Sequence, residues 1–499
     1  MKYFILAGSP ILLFLFLPYA YTQGLHVLPL PTPIESLETV PPVEETEVKK
    51  EEEIEEAPPT EFKSLVPPDF RSQKVMGYTP DETFRVPEGL KKQVEFWKSI
   101  YRNYSTSEYA LHDDTHMVIY KTVYVGDIEQ KVKGYRELQR QMQRRINEHK
   151  RQLRALLRSI HEKQSRVEKM SEEERRIFEA FREIDESKKF LKAARNIRAQ
   201  LGQKERFQQG IIWAGRYLEH MEKIFEAEGV PLELTRLPFV ESSFNIKARS
   251  KVGASGIWQF IRSTGKRYLT INDAMDERND PLESSRAAAK FLRQNFELLR
   301  HWPLAVTAYN HGPSGLKRAV QKVGSIDIVE INRRYKSRTY GFASRNFYAS
   351  FLAALDTEIN YEHYFGSLKV EAPLRADEIK LTRYVGIHAL TKYTGLSKEV
   401  LKRYNPALTN YIFSGRKWIP VNYTLRLPPG TKSSFLEAMN RIPDKLVAKV
   451  QKRQVYHRVK KGDTLYYLSR HYNTTIRSIR EANQISKHIY AGQVLVIPD

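Results

Sequence analysis

The sequence predicts a mainly α-helical chain that closes in small α+β units, and three observations carry that expectation. Apolar residues fall at helical spacings after Lys131, and a compact helical block follows from Gly210 to Leu355. From Gln454 the order changes to strand, helix, helix, strand. The length, 499 residues, suggests roughly three folded units at about 150 residues each.

Composition narrows the possibilities. Hydrophobic residues make up 41% and aromatics 11%, enough for packed cores, while 28% charged residues and a mean hydropathy of -0.54 exclude a polytopic membrane protein. The chain has no cysteine, which excludes disulfides, thiolate metal sites, cysteine nucleophiles and a lipidated cysteine after the leader. Its net charge is +22, yet Thr32 to Phe62 holds eleven Glu against two Lys, so the remainder is more basic still. A polyanionic partner is expected, with nucleic acid, anionic lipid and acidic cell-wall polymer as the three classes.

The elements follow in order. In residues 1–23, Lys2 precedes an apolar stretch that culminates in Ile11 to Leu17, with small or polar residues from Ala20 to Gly24. This pattern predicts a secretory signal; the alternative is a retained anchor over Tyr3 to Tyr21, which Pro10 and Pro18 weaken and through which the chain would associate with a membrane. Export sets nucleic acid aside as a partner and places the chain in the periplasm or cell envelope. Residues 24–85, rich in Glu and Pro pairs, read as a disordered linker. Residues 86–207 read as a helical region whose role the sequence does not reveal. It carries a β-like run at Met117 to Val125 and a basic amphipathic helix over Lys131 to Arg166, with twelve Lys and Arg against three Glu. After a break near Ser171 the helix is expected to resume from Glu172 to Gln200.

Residues 208–365 hold the chemistry. Leu237 to Val240 lead into Glu241-Ser-Ser-Phe-Asn245, which places one carboxyl beside apolar residues at a helix end, where burial raises its pKa as a general acid requires. Gly253-Ala-Ser-Gly-Ile-Trp-Gln-Phe260 offers a tight glycine turn with Trp258 and Gln259 available to a sugar. Asp280, Pro281 and Glu283 predict the N-terminus of a helix over Ser284 to Arg300. Ala308-Tyr-Asn-His-Gly312 gathers a phenol, an amide and an imidazole at another helix end. His311 lacks a companion at ligand spacing, so it is read as structural or glycan-bonding; no metal site and no cofactor is expected.

Each motif alone fits a capped or packed turn. In this order the three resemble the lysozyme-like domain of lytic transglycosylases, glycoside hydrolase family 23. The resemblance implies a goose-type lysozyme fold and cleavage between N-acetylmuramic acid and N-acetylglucosamine in peptidoglycan glycan strands. It aligns Glu241 with the catalytic acid and base, and Ser250, Gln259, Thr264, Tyr309 and Asn310 with groups lining the glycan cleft. From Ser242 to Asn272 there is no Asp or Glu to act as a second acid. Where many relatives carry Glu-Thr-x-x-Tyr, the alignment places Ala343, Ser344 and Phe347. Two other readings stand beside this one, a hydrolytic muramidase of the same fold and a non-catalytic wall-binding scaffold.

Residues 454–499 resemble the lysin motif, which implies binding of N-acetylglucosamine-containing chains through Gly462, Asp463, Thr464, Gln484 and Ile485. An internal repeat accompanies it: Leu390, Leu401 and Asn405 lie 78 residues before Leu468, Ile479 and Asn483, and Leu425, Leu427 and Pro428 lie 70 before Leu495, Ile497 and Pro498. Residues 378–430 are therefore expected to form a degenerate lysin-motif-like domain, without Gly-Asp-Thr and with its binding left open.

Overall fold

The computed structural model describes residues 82–448, 451, 455–483, 485 and 488–497. The expected leader and nearly all of the acidic linker lie outside them. No helix among the described residues is long and apolar enough to cross a membrane.

The region expected to run from 86 to 207 as one helical unit divides in two. Helix α1 (Lys91–Arg102) buries Val94, Phe96, Trp97, Ile100 and Tyr101 on one stripe, and those side chains join the core of the block from 208 to 365. It lies along the helix Phe342–Ile359, where the Trp97 indole N–H donates to Asn346 Oδ1 at 3.4 Å and Arg102 donates to Thr357 at 3.0 Å. The rest is an excursion with its own core. The chain leaves at Tyr104 and returns to the same place, since the Lys204 N–H donates to the Tyr104 carbonyl (3.1 Å) and the Gly202 N–H to that of Glu108 (2.8 Å). Between these points β1 (Glu108–Asp113), β2 (Ile119–Tyr124) and β3 (Ile197–Leu201) form an antiparallel sheet in the order β2, β1, β3.

The long basic helix α2 (Tyr135–Lys163) lays Met142, Ile146, Leu153, Leu157 and Ile160 onto this excursion's core. Ser171 breaks the helix as expected, capping the next one through a reciprocal bond pattern with Glu174. The continuous helix expected up to Gln200 does not form. Helices span Glu172–Ala180 and Lys189–Arg195, and the chain then turns to strand because Ile197 and Leu201 bury against β1.

The block from 208 to 365 is built of helices joined by loops, the longest of them from Ser242 to Ile261, and shares one core. Its parts include α3 (Leu237–Glu241), α4 (Pro281–Leu299), α5 (Trp302–His311) and α6 (Phe342–Ile359). The Asp280 carboxylate accepts from the Leu282 and Glu283 N–H groups with Pro281 in the first turn, so α4 starts as its cap and proline dictate.

Two strand–helix–helix–strand units follow. In the first, β4 (Asp377–Lys380) pairs with β5 (Thr424–Leu427), Asp377 opposite Leu427. In the second, Val455–Arg458 pairs with Val494–Ile497, Val455 opposite Ile497. Asn405 bonds Leu401 O (2.9 Å), Arg426 O (2.8 Å) and Arg426 N (2.9 Å). Asn483 makes the same three bonds to Ile479 O (2.8 Å), Val496 O (2.7 Å) and Val496 N (2.8 Å). The sequence repeat is therefore a repeat of structure, locked at one asparagine in each copy.

Candidate active site

The short helix α3 is held by burial of Leu237, Pro238 and Phe239, and Glu241 ends it. The Glu241 side chain is 8% exposed. Burial alone pushes its carboxyl up to about 8. Tyr101 of α1 and Tyr309 of α5 stand close enough to feel it: burial first, and then the Glu241 charge, raise both phenols. After Glu241 the chain reverses through Ser243 (φ 50°) and Phe244 (φ 55°), both left-handed, and Phe244 packs on Phe239 at 4.7 Å. Left-handed backbone at two non-glycine residues costs free energy and is characteristic of functional sites. The Ser242 hydroxyl ties this turn to the glycine loop by donating to the Ile257 carbonyl at 2.8 Å.

That loop is itself anchored. At Gly256 (φ 77°) a Cβ would sit 1.7 Å from the Arg278 carbonyl, so only glycine fits. Arg278, buried and paired with Asp276 at 2.7 Å, donates to the carbonyls of Gly253 (2.8 Å) and Phe260 (3.1 Å). The Ser250 hydroxyl accepts from the Ala254 N–H at 2.9 Å and closes the loop. Trp258, expected to face a sugar, is instead fully buried: its ring stacks on Phe225 and its N–H donates to Ser285 at 2.8 Å.

Gln259 (φ 48°) donates its amide to the carbonyls of Gly256 (2.7 Å) and Ala248 (3.2 Å), while its Oε1 is buried without a partner. Tyr309 donates to the Trp258 carbonyl at 2.7 Å. Asn310 Oδ1 accepts from Ser344 at 3.1 Å, and Ser344 also lies 3.3 Å from His311 Nδ1. Tyr309, whose phenol feels the Glu241 charge, is thus tied to the backbone just before Gln259, while Asn310 bonds to Ser344. Ser250 is engaged in the loop, and Thr264 sits apart, half-buried on the turn Arg262–Gly265. Burial, and then Arg318, hold the His311 imidazole below its ordinary value. Among the described residues no group of three His, Asp or Glu is placed to hold a metal.

In the last unit Gly462 takes φ 97°. The Asp463 carboxylate accepts from the Lys460 N–H (2.6 Å) and meets His457 Nε2 (2.6 Å), while the Thr464 hydroxyl caps the next helix at the Tyr467 N–H (3.0 Å). Ile485 packs half-buried on the unit's core. Gln484 lies outside the described residues. The sequence did not single out Tyr466, Tyr467 and Tyr490, which are exposed on this unit.

The sequence matches the family described as Transglycosylase SLT domain over residues 221–332 and the LysM domain over residues 457–498. The chain carries a transglycosylase SLT domain and a C-terminal LysM domain. It is homologous to the membrane-bound lytic murein transglycosylase D of Escherichia coli (strain K12), 27% identical over 281 residues. The same protein of Escherichia coli O6:H1 matches equally; in each case the alignment covers 54% of this chain and 60% of the relative. The SLT match takes in Glu241, the glycine loop and α5, and its lysozyme-like helical core agrees with the fold expected from sequence. It leaves out α1, and with it Tyr101, whose buried phenol the Glu241 charge reaches and which sequence motifs could not reveal. The only trace of it in sequence is the apolar stripe of α1.

Proposed function

We propose that this chain is a peptidoglycan lytic transglycosylase of the cell envelope, cleaving the bond between N-acetylmuramic acid and N-acetylglucosamine and leaving 1,6-anhydro ends. The observation that carries the proposal is Glu241: a carboxyl buried at a helix end, raised to about 8 by burial, with no second carboxylate contributing to that shift. Such a group starts as the acid. It protonates the glycosidic oxygen as the C1–O bond breaks, and the substrate's acetamido group shares the positive charge at C1. The resulting Glu241 carboxylate then takes the proton of the C6 hydroxyl, and O6 closes on C1 without water. Gln259, Tyr309 and Asn310 would line the glycan, with Ser250 and Thr264 at its flank. The LysM domain would hold glycan through Gly462 to Thr464, Gln484 and Ile485 and raise the local concentration of enzyme on the strand.

Mass spectrometry of products released from sacculi tests the reaction. Anhydro-ended muropeptides from the wild type, absent with Glu241→Gln, are expected; reducing-end products would make the enzyme a muramidase, and retention on sacculi without products would make it a scaffold. Two pH effects follow from the raised carboxyl. Because the acid form is required, kcat/KM should fall as pH rises through about 8. The folded chain also keeps a proton that the unfolded chain releases above the ordinary value of 4.5, so this group costs stability as pH rises from there to about 8. Glu241→Gln should therefore raise the melting temperature at pH 8 and leave it unchanged at pH 4.

A further inference from the structure

The hydroxyl of Ser344 holds both residues that follow Tyr309. Ser344 is buried in the first turn of α6; it donates its one proton to Asn310 Oδ1 at 3.1 Å and lies 3.3 Å from His311 Nδ1. With that proton engaged, the Ser344 oxygen meets His311 as an acceptor. The imidazole therefore carries its proton on Nδ1 and keeps a lone pair on Nε2. Burial, and then the Arg318 charge, favour the neutral ring. The ring is also fixed by packing. Tyr340 stands edge-on to it at 5.0 Å and is anchored in turn, its phenol donating to Asn332 Oδ1 at 2.6 Å while Asn332 donates to the Arg345 carbonyl at 2.9 Å. Gly315, in the helix Pro313–Val323, lets the ring lie against bare backbone: a Cβ there would come within 2.6 Å of His311 Cδ2 and 2.7 Å of Nε2.

Two polar groups of this cluster remain unengaged. His311 Nε2 and the Asn310 amide nitrogen form no hydrogen bond among the described residues, and neither is a buried atom without a partner, so both reach solvent. They belong to the last two residues of α5, next to Tyr309, whose phenol the Glu241 charge reaches. We propose that His311 recognises the glycan in the Glu241 cleft, its Nε2 accepting a hydrogen bond from a sugar hydroxyl or acetamido N–H, with Ser344 as the positioning residue that sets its tautomer and leaves the Asn310 amide N–H groups for the same strand. This rests on the transglycosylase reading above and adds two residues to it. An acceptor and a donor on successive residues suit a neutral sugar, whose hydroxyls and acetamido groups offer both kinds of partner. A ring that merely closed the end of α5 would need neither the Ser344 bond nor a fixed tautomer.

Nitrogen NMR spectra of the full chain carrying isotope-labelled histidine test the assignment without turnover. In Glu241→Gln, which leaves added saccharide uncleaved, the His311 resonances, identified by their loss on His311→Phe, should show a protonated Nδ1 and an unprotonated Nε2. A soluble oligomer of alternating N-acetylglucosamine and N-acetylmuramic acid should move the Nε2 signal, and Ser344→Ala should mix the two tautomers. Turnover of the same oligomer, with Glu241 intact, gives the second readout. His311→Phe keeps a ring against Tyr340 and Gly315, so it should raise KM about fivefold while changing kcat less than about twofold and the melting temperature by less than about 2 °C. Ser344→Ala should raise KM about threefold, and Ser344→Thr, which restores the hydroxyl, should return it to the wild-type value. A protonated Nε2 in the free chain, a Nε2 signal that the oligomer does not move, or kcat and melting temperature falling together at unchanged KM would overturn the proposal. A wild type that releases no anhydro product overturns the transglycosylase reading instead, and the spectra then still decide the role of His311.

Discussion

The two strand–helix–helix–strand units after the SLT domain share a strand register and an asparagine lock, yet they present themselves oppositely. In the first, the loop after the second helix is sewn to the SLT domain. Asp276 N–H donates to the Ala407 carbonyl (2.8 Å), Thr409 N–H to that of Ala274 (3.0 Å), and Met275 bridges Leu408. Ala274 and Met275 sit in that unit's own core. Arg426 of β5 is buried against Asp280 (2.5 Å), Glu378 (3.2 Å) and Glu283 (3.4 Å), and so fastens the unit to the cap of α4. At the corresponding places the LysM domain has Ile485, half-buried, and Val496, buried, while Tyr466, Tyr467 and Tyr490 of the same domain stay open to solvent. One scaffold thus carries a buried charged clamp in one copy and, in the other, a buried apolar residue at the same strand position together with three exposed tyrosines. The difference is made at the loop and at a single strand position.

The largest test of this contrast is Arg426→Ala. It leaves three carboxylates around an empty place and should cost about 3–5 kcal/mol in denaturant unfolding, lowering turnover with it. Val496→Ala at the matching position should cost about 1–2 kcal/mol and leave turnover of soluble glycan fragments alone; equal costs would erase the contrast. Next, Asn405→Ala and Asn483→Ala should each lose about 2–3 kcal/mol by stripping buried backbone groups of their partner. Calorimetry should place the first loss in the transition of the SLT domain and the second in a separate transition of the LysM domain. Removing residues 452–499 should weaken retention on sacculi about tenfold without slowing cleavage of soluble fragments. If retention persists, the first unit binds glycan and the contrast fails.

The smallest effect is expected at Asp463. The bond to His457 first, and then the Lys460 N–H, hold its carboxyl below the ordinary value. The stability this gives is present above that ordinary value and fades as pH falls through the lowered one. Asp463→Asn should therefore flatten the acid limb of LysM unfolding and leave the SLT limb in place.

What the sequence revealed and what it hid follow from range. The Asp280-Pro281 helix start, the Ser171 break, the Gly256 turn and the paired Asn405 and Asn483 were legible, because each acts over a few residues or repeats at a fixed offset. The burial of Glu241 at a helix end was legible because its apolar neighbours adjoin it in the chain. Strand β3 was not, since Ile197 and Leu201 take their conformation from a partner strand far upstream. Trp258 misled for a similar reason. Next to Gln259 it looked like a sugar platform, but Phe225 and Ser285, from other helices, enclose it. The seam at Arg426 and the placement of Tyr101 likewise depend on tertiary neighbours that local pattern does not name.

The position of α1 bears on how the chain can be shortened. A fragment trimmed to the motif-bearing segment would lack Val94, Trp97, Ile100 and Tyr101, all of them buried in the shared core. Its α6 would show a bare apolar flank, inviting aggregation. Water would also reach the Glu241 carboxyl, which would relax toward an ordinary, more readily ionised acid. A protease cutting between Arg102 and Tyr135 would leave the motifs of the SLT domain intact in sequence, yet release of α1 would open the Glu241 site to water.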